Sequence, residues 1–216
     1  METQEEMHKY TLYYFPVRGR GEPIRLLFHL DNQPFADERI SLEQWPSYKS
    51  SMPLGQIPVL EVDGVKLAQS PAILRFLGHQ QRRAGANAIE CAKLDMIAEV
   101  VQEFSNTEGA GKFGRVLLGM ITADKNQYYK EHVVPDLEKY APIIEKFLVE
   151  NGNNGLFIGD RETWVDVFSA EVFSKFIEYG SPDALDAYPH IRAQIQRVFN
   201  HPNIKRYIAS RPVTPF

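Results

Sequence analysis

With Cys91 as its only cysteine, the chain has no partner for an intramolecular disulfide, no CxxC redox pair and no thiolate zinc cluster. Cys91 falls in a helical pattern and is expected to be structural. The histidines, His8, His29, His79, His132, His190 and His201, include no HxxxH or HExxH spacing, so metal catalysis is not indicated. No apolar run approaches the ~18 residues of a membrane span. The opening Met1-Glu2-Thr3-Gln4-Glu5-Glu6 is acidic where a secretory leader would be basic and then apolar, and a cytoplasmic address is expected. An excess of positive charge is also missing. A net charge of -4 gives no global attraction to nucleic acid or to an anionic membrane. What remains is ordinary for a globular protein, 44% hydrophobic and 24% charged over 216 residues, enough for one large or two small domains.

The most informative stretch runs from Leu54 to Pro71. Val59 to Val62 and Val65 to Leu67 are short apolar runs flanking Asp63-Gly64, a dipeptide that tolerates positive φ and predicts a two-residue type I′ hairpin. Ser70, Pro71 and the periodic Ile73, Leu74 and Leu77 then predict an N-cap, an N1 proline and a helix. A helix start has unsatisfied N–H groups and a positive dipole end, so it attracts anions, and Gln69 and Ser70 add side-chain donors there. An isolated Ser-Pro is more often a capped helix with no ligand. Pro58 stands before the hairpin; if Ile57-Pro58 is cis, the Ile57 backbone is free to pair with an extended, peptide-like ligand.

In chain order, residues 1–7 have no period and resemble a tail. Tyr10 to Phe15 predicts a strand, and Val17-Arg18-Gly19-Arg20-Gly21 a turn. Glu22-Pro23 opens a helix with Ile24, Leu27 and Phe28 on one face. Phe35 to Ile40 is a short second strand, and Trp45 to Ser51 has no regular pattern. The order βαβ then ββα predicts one mixed sheet with helices against it. Gln80 to Asn87 is the best linker. Beyond it every period is helical: Ile89, Leu94, Ile97, Val101 and Phe104 near one face, then Phe113, Val116, Leu117 and Met120. Pro135 and Pro142 should kink or break the stretch from Tyr128 to Glu150. Thr163-Trp164-Val165-Asp166 has capping-box spacing ahead of Val167, Phe168, Val172 and Phe176. Pro189 starts another helix, with Ile191, Ile195, Val198 and Phe199, that ends near Pro202.

Tyr13 and Tyr14 are strand neighbours, so their side chains face opposite ways and only one can serve a given site. A strand-end tyrosine is usually a half-buried sheet aromatic, but its hydroxyl can donate to a developing anion, with Arg20 adding positive potential. Trp45 and Lys49 are either surface residues or an indole N–H and an ammonium aimed at a carboxylate. Arg18-Gly19-Arg20-Gly21 lacks the Lys-Ser/Thr of a phosphate loop and is taken as a turn.

Lys9-Tyr10-Thr11-Leu12-Tyr13-Tyr14-Phe15 followed by Arg18-Gly19-Arg20-Gly21-Glu22-Pro23-Ile24-Arg25 resembles the opening of a sigma-class glutathione S-transferase of the nematode type. Trp45-Pro46, the stretch Pro53 to Gly64, and Gln69-Ser70 continue the likeness. Gly159-Asp160, Thr163 to Asp166 and Ser210 to Phe216 add to it. The resemblance covers nearly the whole chain from Met7. It implies a thioredoxin-like α/β N-terminal domain over residues 8–85, an all-α helical domain over 87–214 lining an acceptor pocket, and a homodimer. It also implies that Tyr14 is the catalytic tyrosine with Arg20 beside it, and that Trp45 and Lys49 hold the glycine end of glutathione. Gln56 and Ile57 would hold its cysteinyl backbone, Gln69 and Ser70 its γ-glutamyl carboxylate, and Glu103 of the partner chain its amine. Glutathione would be co-substrate with no further cofactor, conjugated to a hydrophobic electrophile in detoxification. Two alternatives are a non-catalytic carrier of haem or other hydrophobic ligands and a glutathione-dependent prostaglandin isomerase. Members of the latter kind carry a tryptophan where this chain has Ala110.

Overall fold

The computed structural model describes residues 8–214 and Phe216. The tail expected over residues 1–7 lies outside the described residues. The first half follows the expected order: β1 (Tyr10–Tyr14), α1 (Glu22–Leu30), β2 (Ala36–Arg39), α2 (Trp45–Lys49), β3 (Val59–Val62), β4 (Val65–Ala68) and α3 (Ser70–Gln80). The strands form one sheet in the order β2-β1-β3-β4. β1 and β2 are parallel, which requires a crossover, and α1 supplies it. β1 with β3 and β3 with β4 are antiparallel. Val62 opposes Val65, and Asp63 and Gly64 have φ of +49° and +87°, as a type I′ turn demands. The Asp63 carboxylate accepts from the Lys9 N–H at 2.8 Å, tying the turn to the start of β1.

Strand alternation sends Tyr10, Leu12 and Tyr14 into the core and leaves Thr11 and Tyr13 half-buried on the other side. Tyr13 donates to Glu61 Oε2 at 3.3 Å, away from Tyr14.

The second half is helical among the described residues: α4 (Ala88–Phe104), α5 (Gly109–Leu117), α6 (Lys125–Tyr128), α7 (Val134–Glu150), α8 (Trp164–Lys175), α9 (Pro189–Asn200) and α10 (Pro202–Ser210). Single π-helical turns, Tyr129–Val133 and Phe176–Gly180, precede α7 and follow α8. The Thr163–Asp166 capping box is present with both of its hydrogen bonds. Asn87 caps α4, accepting from Ile89 N and Glu90 N. No helix among the described residues is long and apolar enough to cross a membrane.

Several expectations need correction. Residues 45–49, expected to be irregular, form α2; five residues are too few to show a helical period. β2 is trimmed by one residue at each end. Gln69 rather than Ser70 is the N-cap of α3, because Gln69 turns the chain with φ of +73° and Ser70 already has its place in the helix. Ile89 lies five residues before Leu94, about 140° away around the helix, and is 69% exposed while Leu94, Ile97, Val101 and Phe104 are buried. Met120 lies past the end of α5 and is 62% exposed. Pro142 sits inside α7 without ending it. Its flanking Tyr140, Ala141 and Ile144 are buried, and this burial offsets the lost backbone bond. Pro202 both follows α9 and opens α10, whose single buried side chain, Ile204, left little pattern to detect.

One continuous apolar core runs from Leu12, Phe28 and Leu77 to Trp164, Phe173 and Ile191. The halves meet where the Trp164 indole covers Gly78; a Cβ there would lie 2.4 Å from the ring. Alongside, Arg83 donates to Asp31 Oδ2 at 2.6 Å and to the Glu162 carbonyl at 2.8 Å.

Candidate active site

Tyr14 ends β1 and is buried. The chain then folds back over it, and Gly19 and Gly21 permit this. A Cβ at Gly21 would lie 2.4 Å from the Tyr14 ring, and one at Gly19, where φ is +41°, would lie 2.5 Å from its hydroxyl. The Arg18-Gly19-Arg20-Gly21 turn is therefore a cradle for one phenol. At its centre the Arg20 N–H donates to the Tyr14 hydroxyl oxygen at 2.9 Å. Burial pushes the Tyr14 phenol above its ordinary value of 10.0, while the Arg20 N–H and the Arg20 and Arg25 charges pull the other way. The group is consequently a neutral hydroxyl at physiological pH. Its oxygen is engaged as an acceptor and its proton remains available for donation.

Arg25, buried in α1, has its guanidinium 5.7 Å from the Tyr14 ring centroid. It donates to Asp37, to the Val17 carbonyl at 2.8 Å and to the Phe15 carbonyl at 3.3 Å. It thus clamps the chain on the far side of the tyrosine. The Arg20 guanidinium reaches Asn106 Oδ1 at 2.6 Å in the α4–α5 connection.

Arg20, Gln56, Ile57, Pro58, Gln69 and Ser70 line one cleft between the Tyr14 cradle and the start of α3. Ile57-Pro58 is cis. Ser70 is buried, and no side chain caps the α3 start. The positive dipole end and the first N–H groups therefore face the cleft, flanked by the Gln69 and Ser70 side chains. Trp45 and Lys49 are one turn apart on α2; Trp45 packs edge-on against Phe15 at 5.8 Å, and the Lys49 aliphatic chain lies beside Gly55. Glu103 is exposed on α4 and does not line the cleft of its own chain. Of the site residues expected from sequence, five share the cleft, Tyr14 adjoins it through Arg20, Lys49 lies by Gly55 next to the cleft residue Gln56, and Trp45 packs on Phe15. Sequence reasoning passed over Asn106 and Arg25, whose contacts with the cradle are long-range or across a helix and carry no local signal. Among the described residues no group of three or more His, Cys, Asp or Glu is placed to hold a metal.

Residues 9–79 match the glutathione S-transferase N-terminal domain, and residues 112–211 match the glutathione S-transferase C-terminal domain. The chain belongs to the glutathione S-transferase family. It is 69% identical to a probable glutathione S-transferase of Caenorhabditis elegans over 97% of this chain and 100% of that protein. Among solved glutathione S-transferases, a monomeric one from Necator americanus is 39% identical, with a TM-score of 0.90 over 96% of this chain and 100% of that one. A Nu-class member from Haemonchus contortus is 39% identical, with a TM-score of 0.84 over 97% of this chain and 100% of that one. The family's two-part architecture, a thioredoxin-like half and a helical half, is the one described above.

Proposed function

We propose that this protein is a glutathione transferase that binds glutathione in the cleft, stabilises its thiolate with Tyr14 and conjugates it to a hydrophobic electrophile, as a detoxifying enzyme of the cytoplasm. The observation that carries this reading is the Tyr14 hydroxyl held by the Arg20 N–H at 2.9 Å, next to a polar cleft at a helix start. Glutathione is then a co-substrate, and no other cofactor takes part. A free thiol has a pKa near ~8.5, so only a few per cent is thiolate at neutral pH. Stabilising the anion by about 2 kcal/mol lowers that pKa by roughly 1.5 units and makes thiolate the main form. One hydroxyl donor in a field raised by Arg20 and Arg25 is of that size.

In this reading Gln69 and Ser70 with the α3 start take the γ-glutamyl carboxylate, Gln56 and the Ile57 backbone the cysteinyl part, and Trp45 and Lys49 the glycine carboxylate. Exposed Glu103 would serve the partner's site in a homodimer. The two domains divide at residues 85–87. Sigma-class membership rests on the Tyr14, Arg20 and Gln69-Ser70 pattern. The reading is tested by steady-state assay with an aryl halide and glutathione; turnover that requires glutathione is expected, and none with any of a panel of electrophiles would refute it. Ser70→Ala should weaken glutathione about 10-fold to 150-fold, since a buried carboxylate loses a donor worth about 1.5 to 3 kcal/mol. Unchanged affinity by calorimetry would remove Ser70 from the site.

A carrier role is favoured by one separate feature, a groove of about 520 Å³ in the helical half walled by Tyr129, Leu137 and Tyr188 and edged by Lys130 and Glu138. Titration with hydrophobic dyes and haem, with and without saturating glutathione, tests it. Binding that glutathione does not displace supports the second role; no binding removes it.

A further inference from the structure

Lys175, the last residue of α8, is buried and divides its ammonium between a backbone carbonyl and the Glu171 carboxylate. Its Nζ donates to the Gly19 carbonyl at 2.8 Å, while Glu171 Oε1 is 3.5 Å away. The Gly19 carbonyl and the Arg20 N–H belong to one peptide group, and that N–H is the donor held 2.9 Å from the Tyr14 hydroxyl oxygen. An ammonium from the helical half and the phenol of the first half therefore bind opposite ends of a single amide. A positive charge on the carbonyl end draws electrons from nitrogen and strengthens the N–H as a donor, as in any chain of polarising hydrogen bonds at low dielectric. The geometry points to Lys175 as a positioning residue that acts on Tyr14 through the Gly19–Arg20 peptide, making the phenol a stronger donor to the glutathione sulfur.

The surroundings hold this relay in register. Arg18, also buried, donates Nε and Nη2 to the two Glu171 oxygens, each at 3.0 Å, and a further bond to Glu178. The Arg18 carbonyl accepts from Gly21 N at 3.1 Å and Glu22 N at 2.9 Å, so the Arg18–Glu171 pair fixes both ends of the loop that carries the amide. Lys175 Nζ lies 4.9 Å from the Phe216 ring centroid, which covers it on another side. Among the described residues, other charged and titratable groups near the relay are Glu22 with Arg211, Tyr179 by Arg18, Arg20 and Arg25 by Tyr14, and the terminal Phe216, whose oxygen accepts from Arg18 N at 2.8 Å. Burial lowers the Lys175 pKa, opposed by Glu171. The sequence offered no hint of this, since residues 19 and 175 meet only in the folded chain.

The inference rests on Tyr14 being the thiolate-stabilising group, and its test separates the two. In full-length Lys175→Met, the pH midpoint at which bound glutathione ionises, followed by thiolate absorbance, should rise by about 0.5 to 1 unit, about threefold to tenfold less thiolate below both midpoints. Glutathione affinity should stay within about twofold, because Lys175 does not line the cleft. Lys175→Arg keeps charge and donor and should restore most of the shift. A rate that falls at every pH with an unmoved midpoint marks a purely structural lysine and overturns the relay. Should Lys175→Met not fold, Lys175→Gln, a neutral donor, should give an intermediate rise, and an unmoved midpoint there overturns the relay equally. In a Tyr14→Phe background the Lys175 effect should vanish; a shift of full size there sinks the relay alone. A Tyr14→Phe protein whose midpoint matches the wild type sinks the Tyr14 reading instead.

Discussion

Tyr14→Phe is expected to lower kcat about 10-fold to 150-fold, with glutathione KM changed only a few-fold. In the proposed reading the hydroxyl meets the substrate chiefly at the charge on sulfur, and an interaction confined to the reactive, ionised state is lost from kcat rather than from binding. Removing a donor to a charged atom costs about 1.5 to 3 kcal/mol, which corresponds to about 10-fold to 150-fold. The phenylalanine also leaves the Arg20 N–H without its acceptor, and this disturbs the cradle further. Tyr13→Phe is the control. Its hydroxyl bonds to Glu61 on the other side of the sheet, and its loss should leave kcat within about twofold. Parallel losses from both substitutions would contradict the assignment, and stopped-flow or steady-state rates at saturating glutathione decide it.

Asp166→Ala should destabilise the fold by about 3 to 5 kcal/mol in denaturant titration. The carboxylate is buried at the first turn of α8 and accepts from Phe157 N at 2.9 Å, Thr163 N at 2.8 Å, Thr163 Oγ1 at 2.6 Å and Gln194 Nε2 at 3.2 Å. Alanine strands these donors, ends the capping box and loosens the loop that leads into α8. Burial pushes the Asp166 carboxyl up to about 6 from its ordinary 3.8, and its donors stop it rising further. The native state therefore holds this proton more tightly than the unfolded chain does. Its contribution is complete below about pH 4 and is lost as pH rises through about 6, a fall of about 3 kcal/mol. Asp166→Asn cannot ionise, so the stability gap between it and the wild type should narrow over that interval. A gap that widens would show the carboxylate to be stabilised by its donors beyond the cost of burying it.

The features legible in the sequence were those written in neighbouring residues. Asp63-Gly64 between apolar runs, the alternation that parts Tyr13 from Tyr14, and Thr163 three residues before Asp166 each state a local rule. The structure obeys all three. Helix α2 was lost because it is a single turn, and α10 because one buried residue makes no period. Ile89 was placed on the wrong side by grouping it with residues whose spacing it does not share. For the site, the cleft residues were found by resemblance and by the helix start. The groups around Tyr14 were not, because Arg25 meets Tyr14 across 11 positions, Asn106 meets Arg20 across 86 and Lys175 meets Gly19 across 156. No window along the sequence holds both ends of the last two contacts.

The Trp164 indole resting on Gly78 bears on how chains of this kind can be recombined. The exposed loop at residues 85–87 is where two halves from different parents would be spliced, but it is not where they must agree. Agreement is needed at Gly78, where even a methyl group on one half strikes a ring belonging to the other, and at Arg83, which bridges Asp31 and the Glu162 carbonyl. A chimera therefore needs the glycine and the indole inherited together, and Arg83 together with both of its partners.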